Sequence, residues 1–249
     1  MPTAEDLLFA ENAQALGTKI HIRHEPSNRR LRALMGGKWI FDSLEVEYVW
    51  EEEYPVYYVP LKALIQGPAE ISQQSTSFRG CRIGQLKCNG KTANIATFEE
   101  GPLKGLARIA HDGVDSWYAE DEKLLGPYPK DPYKRIECLI SSSEVRIELD
   151  GIIVASSTSN ILLLETRRQP RYYLSPTSIF NWDMLIPSST STFCPYKGKA
   201  SYYHLKVGER EIRDAVWYYE YPVPESAQIQ NRLCFFNEEV KIFINGKQQ

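Results

Sequence analysis

No stretch of this chain approaches the roughly 20 consecutive apolar residues that cross a bilayer. Its opening, Met1 to Asp6, is acidic and has neither the basic nor the apolar region of a secretory signal. No Cys-x-x-Cys occurs: Cys81 and Cys88 are seven apart and lack a second pair. His21, His24, His111 and His204 show no His-x-x-x-His spacing, so a structural zinc is not expected. There is no Gly-rich phosphate loop and no Gly-x-Ser-x-Gly, which leaves nucleotide chemistry and a serine triad without a motif. Charge of one sign is also missing. With 29 basic and 32 acidic residues the net charge is −3, which gives no electrostatic footprint for nucleic acid. Five scattered cysteines and the absence of an Asn-x-Ser/Thr acceptor point to a reducing, cytoplasmic setting.

What is present is an ordinary globular composition. The chain has 249 residues, 43% hydrophobic and 24% charged, enough to bury a core in one large or two small domains. Aromatics reach 12%, with 15 Tyr, a residue that buries a ring while its hydroxyl stays wet. Residues 4–16 read as a helix, with Thr3 as its cap, Asp6 three residues on and Gly17 past the end. Beyond it the pattern changes to short alternating runs broken by Gly, Pro and Asn. Lys19–Arg23, Lys38–Phe41, Val56–Val59, Glu144–Leu149, Ser201–Val207 and Val240–Ile244 read as antiparallel strands. A mainly β fold follows, as a barrel, a sandwich or a tent-like pair of sheets.

The chain also resembles itself. Arg29–Gly37 is similar to Ser143–Gly151, and Lys38–Ser43 to Ile152–Ser157, both 114 residues apart. Pro55–Pro60 matches Pro170–Pro176 with one insertion, and Ser75–Cys81 lies opposite Ser189–Cys194. Trp117–Glu120 aligns with Trp217–Glu220, and Arg135–Leu139 with Arg232–Phe236. The expected organisation is a helical extension at 1–19 and two closely packed β copies, 20–142 and 143–249, joined without a linker.

Copy two holds the densest chemistry, Thr192-Phe-Cys194-Pro195-Tyr196-Lys197-Gly198-Lys-Ala200-Ser-Tyr202. A lysine three residues after a cysteine can stabilise a thiolate, and Pro195 with Gly198 imposes a turn to hold the pair. The plainer alternative is a tight turn with Cys194 buried and Lys197 solvated. Tyr172, Tyr173, Tyr202, Trp217 and Tyr219 either line a pocket or pair across strands. Glu165 and Glu220 are candidate acid–base groups, or partners for Arg146, Arg168 or Lys197. Arg146, and Arg32 at the equivalent position, would bind a carboxylate or else face outward from their strands.

Thr-x-Cys-Pro-x-Lys-Gly-x-Ala-x-Tyr (Thr192 to Tyr202), followed by Ala-x-Trp-x-Tyr-x-x-Pro (Ala215 to Pro222), resembles the signature of the family known as domain of unknown function 427. The Arg/Val strands Arg32–Ser43 and Arg146–Ser157, and Glu165 after an apolar run, are similar to its earlier elements. The resemblance implies a compact all-β fold. The family's nucleotidyltransferase-like label finds no supporting motif here. Copy one keeps Cys81 but follows it with Arg82-Ile-Gly-Gln85, so the motif is intact only in copy two. The expected function is therefore that of a small-molecule enzyme or ligand-binding protein, with Cys194, Lys197 and Tyr202 as candidate catalytic groups. Tyr172, Tyr173, Trp217, Tyr219, Glu165 and Arg146 would contact the ligand. No cofactor, metal, nucleic acid or membrane is called for. The alternative is a non-catalytic β scaffold that binds a protein.

Overall fold

Two-residue turns in which both residues take positive φ match the right-handed twist of the strands they join, and this chain uses them repeatedly. Gly36-Gly37 (φ 57° and 73°) and Asp150-Gly151 (φ 50° and 79°) close two hairpins at the same place in each half. A computed structural model describes residues 4–17, 21–52, 54–73, 80–126 and 128–249. It divides into two compact units, 1–131 and 132–249.

The first unit opens with helix α1 (Ala4–Gly17). Its strands are β1 (His24–Pro26), β2 (Leu31–Met35), β3 (Lys38–Ser43), β4 (Glu47–Trp50), β5 (Pro55–Pro60), β6 (Glu70–Gln73), β7 (Cys81–Cys88), β8 (Lys91–Phe98), β9 (Leu106–Ile109), β10 (Ser116–Ala119) and β11 (Glu122–Lys123). A short helix, α2 (Leu61–Ile65), follows β5. Seven strands form one antiparallel sheet in the order β1-β4-β5-β9-β8-β7-β6, and four form another, β11-β10-β2-β3. Of the expected run Lys19–Arg23, positions 19 and 20 lie outside the described residues, and the strand itself begins at His24.

The second unit contains β12 (Ile136–Ser141), β13 (Val145–Leu149), β14 (Ile152–Ser157), β15 (Asn160–Glu165), β16 (Arg171–Leu174), β17 (Leu185–Cys194), β18 (Gly198–Val207), β19 (Arg210–Pro222), β20 (Cys234–Phe235), β21 (Lys241–Ile244) and β22 (Lys247–Gln248). Its sheets run β14-β13-β21-β22, β12-β15-β16 and β17-β18-β19-β20, and a Leu174–Leu233 bridge links β16 to the start of β20. The two units thus repeat one strand order among the described residues, β1–β11 in the first and β12–β22 in the second. Among the described residues no sheet closes into a barrel. The β2–β3 ladder shifts register between Ala33 and Leu34, and β13–β14 shifts between Ile147 and Glu148, again 114 residues on.

Strand pairing corrects three of the internal matches. Trp117 lies in β10 opposite Ala33, so its counterpart is Ile242, opposite Ile147 in β21, and not Trp217 in β19. Cys81 opens β7 opposite Phe98, the place Ala200 holds opposite Tyr219, while Cys194 ends β17. Residues 75–79 of that match lie outside the described residues. The segment from Arg135 leads into β12, which pairs with β15 inside the second unit and so does not end the first. Similar composition accounts for these matches, because aromatic and β-branched residues recur on most of the strands.

Alternation decides which face each side chain meets. In the first unit Leu31, Ala33 and Met35 pack with Tyr57, Val59 and Ile95 in the main core. Tyr58 points to the opposite face, with Val49, Ala96 and Phe98, and there α1 covers it with Phe9 and Ala13. In the second unit Val145, Ile147 and Leu149 join Leu174, Leu205 and Val216. The opposite face there carries Leu163, Tyr173, Ala200, Trp217 and Tyr219. Each fully buried Val, Leu, Ile, Phe or Met among these contributes roughly 1.5–3 kcal/mol.

Candidate functional site

The turn between β17 and β18 is built by Pro195 and Gly198. The Lys197 amide donates to the Cys194 carbonyl at 3.2 Å, closing the turn. Gly198 sits at φ +103°, and a Cβ there would stand 3.0 Å from the Tyr221 carbonyl oxygen, so this position admits glycine alone without strain. The Val223 amide donates to the Lys197 carbonyl at 3.1 Å, and the buried Ser226 hydroxyl donates to the Tyr196 carbonyl at 2.9 Å. The turn is therefore anchored from outside at two successive residues, Tyr196 and Lys197.

From this turn Lys197 reaches Glu165, the last residue of β15, and its ammonium donates to Oε2. Lys134 holds the other oxygen, Oε1, at 2.6 Å, with its ammonium 5.0 Å from the Tyr196 ring centroid. All three side chains are nearly enclosed, at 11% exposure for Glu165, 9% for Lys134 and 12% for Lys197. Burial pushes the Glu165 carboxyl up, but the Lys197 charge and the two ammonium hydrogen bonds outweigh it, so it titrates below the ordinary carboxylate range. Two ammoniums on one carboxylate leave a net positive charge at this end of the site.

Aromatic side chains form the floor. Tyr173 on β16 accepts a hydrogen bond from the Trp217 indole N–H at 3.1 Å, and the rings meet edge to face at 6.3 Å and 88°. Burial raises the Tyr173 and Tyr219 hydroxyls far above the usual tyrosine range, so both stay protonated donors. The Tyr202 hydroxyl is held by the Thr192 hydroxyl at 2.7 Å. Arg171 lies 5.5 Å from the Trp217 ring and 5.9 Å from the Phe236 ring, and its guanidinium is fixed by Asn237 and Glu238.

These groups surround a cavity of about 520 Å³, in the range of small-molecule sites. Of the nine residues expected from sequence, Glu165, Tyr173, Cys194, Lys197, Tyr202, Trp217 and Tyr219 line it. Tyr172 does not, because neighbours on a strand face opposite sides: it packs against the main core of the unit and lines a different hollow, with Pro170 and Asn237. Arg146 belongs to β13, in the β14-β13-β21-β22 sheet, where it pairs with Glu148 and stacks 4.6 Å from the Phe243 ring. Glu220 is exposed outside the cavity. Lys197 is engaged by Glu165, so its charge is shared with a carboxylate rather than reserved for the Cys194 thiol. Cys194 itself is partly exposed on the cavity wall.

Sequence reasoning missed Lys134, Arg171 and Phe236. Arg171 was within reach of it: as the residue two before Tyr173, it shares that face of β16. Lys134 precedes its strand, and no pattern marks it. Among the described residues no group of three or more His, Cys, Asp or Glu side chains gathers to hold a metal ion, and no helix is long and apolar enough to cross a membrane.

No curated protein matches the chain. Residues 137–246, almost the whole of the second unit including its Cys194–Tyr202 segment, match the family described as Domain of unknown function (DUF427).

Proposed function

We propose that the second unit binds a small organic anion, a carboxylate or phosphate that also carries a ring or other apolar body. The observation that carries this reading is the convergence of opposite surface types on one 520 Å³ cavity. Its floor is Tyr173, Trp217 and Tyr219, while its charged lining sets Lys197, Arg167, Arg168 and Arg171 against Glu165 and Glu238. Four cations facing two carboxylates favour negative charge in the ligand, and aromatic faces favour a flat apolar body. The Glu165 clamp holds Lys197 in place, and Tyr202 offers a hydroxyl already oriented by Thr192.

Capture comes before chemistry in this reading. Cys194 is the thiol on the cavity wall available for a covalent step, while the Lys197 ammonium is engaged by Glu165. The shared strand order supports a doubled ancestral β unit of which the second copy is the working one. The test is a thermal-shift and calorimetric screen of aromatic carboxylates and phosphates against the whole chain, repeated on Lys197→Met and Trp217→Leu. Saturable binding that both substitutions weaken by tenfold or more is expected. Binding that survives both unchanged would overturn the assignment of the site.

A further inference from the structure

The first unit answers the second unit's cavity in a different way. Following the strand registers, Tyr58 stands where Tyr173 does, Glu51 where Glu165 does and Phe98 where Tyr219 does. Two replacements change the floor. Ala96 takes the place of Trp217, and Arg108 takes the place of Cys234. Arg108 lies against Glu51, with Nη2 donating to Oε2 at 2.8 Å, and the Tyr58 hydroxyl donates to Glu51 Oε1 at 2.9 Å. Removing an indole and adding a guanidinium leaves room for a ring above a cation. That ring is Phe9 of α1, 4.4 Å from the Arg108 guanidinium carbon. Ala13, one turn on, is fully buried and packs with Phe9 into the cluster of Tyr58, Cys81 and Phe98, while Leu16 is buried another turn along. Spacings of four and three put these three residues on one side of the helix.

We infer that this face of the first unit is a helix-receiving site and that α1 is its built-in occupant, an aromatic residue laid on Arg108 with a small residue one turn later. The first unit thereby spends on its own N-terminal segment the face that the second unit keeps open. A peptide of the α1 sequence is the ligand class this face takes, and it competes with α1 only when the resident helix is weakened. The inference stands on the first unit's contacts alone and does not need the second unit's ligand.

Cys81 reports the state of the face, because it lies under α1, whereas Cys88 sits in the unit's other core. The experiment is iodoacetamide labelling of the full chain, read by mass spectrometry at each cysteine, for wild type and Phe9→Glu, with and without a synthetic peptide of residues 1–17. The expected result is Cys81 labelling at least tenfold faster in Phe9→Glu, Cys88 unchanged, and Cys81 protected again by the peptide but not by a peptide carrying the same substitution. Cys81 labelling that does not change, that rises together with Cys88, or that the peptide fails to slow would overturn the inference. Should Phe9→Glu fail to fold, Phe9→Ala decides on the same three readings.

Discussion

Replacing Glu165 by Gln tests the charged end of the cavity. The amide keeps the shape but removes the charge that Lys134 and Lys197 share, leaving two ammoniums with exposures of 9% and 12% facing a neutral group. Breaking a buried pair from one side costs about 3–5 kcal/mol, because the remaining charge is left uncompensated, and here two are left. The sign of the pH dependence follows from the Glu165 carboxyl, held below its ordinary range in the folded state. Its stabilisation is complete above the unfolded carboxyl value of about 4.3 and is lost as pH falls through the lower folded value. Urea unfolding of wild type and Glu165→Gln between pH 7 and pH 3 should therefore show a gap of about 3–5 kcal/mol at neutral pH that narrows in acid. A gap under about 1 kcal/mol at pH 7, or one that stays constant into acid, would refute the reasoning that the clamp is a desolvated ion network.

Three further outcomes follow from the same geometry. Tyr173→Phe removes the acceptor of the Trp217 indole N–H in a buried place, and chemical denaturation should show a loss of about 1–3 kcal/mol. Gly198→Ala forces a Cβ to 3.0 Å from the Tyr221 carbonyl at φ +103°, with an expected loss of about 1–3 kcal/mol and a Cys194–Gly198 turn that no longer closes, read as new amide exchange at Lys197 and Val223. Native-state alkylation near neutral pH should reach Cys194, on the cavity wall, well before Cys234, which is fully buried and whose thiol burial pushes far up; equal rates at the two sites would place Cys194 in packed surroundings instead.

Much of the fold was legible because hairpins write themselves in short range. Leu31, Ala33 and Met35 alternate before Gly36-Gly37, and Val145, Ile147 and Leu149 before Asp150-Gly151, so strand, turn and inward face can all be read. The correspondence of Tyr57-Tyr58 with Tyr172-Tyr173 was visible for the same reason. The Trp117–Trp217 match was not a correspondence, since an aromatic residue on an alternating strand carries no information about which sheet the strand joins. At the site, the Cys194–Gly198 turn and the Trp217-x-Tyr219 face could be recognised from local chemistry. Tyr172 and Tyr173 cannot both face the cavity, because neighbours on a strand point to opposite sides. Lys134 and Arg108 owe their roles to long-range pairing, Lys134 to a carboxylate 31 positions on and Arg108 to Phe9 in a helix far upstream. Neither contact leaves a periodic trace. The short helix α2 was missed because five residues after a proline do not reach the length at which helical periodicity shows.

The most direct test of an anion-binding aromatic cavity in the second unit is the indole N–H spectrum of the tryptophans while an aromatic carboxylate from the screen is titrated into the whole chain. Trp217, whose N–H points at Tyr173 beneath the cavity, should move in a saturable way, with Trp117 in the first unit's core staying still. Trp217 unmoved across the carboxylates and phosphates, or both indoles drifting together without saturation, would contradict the account.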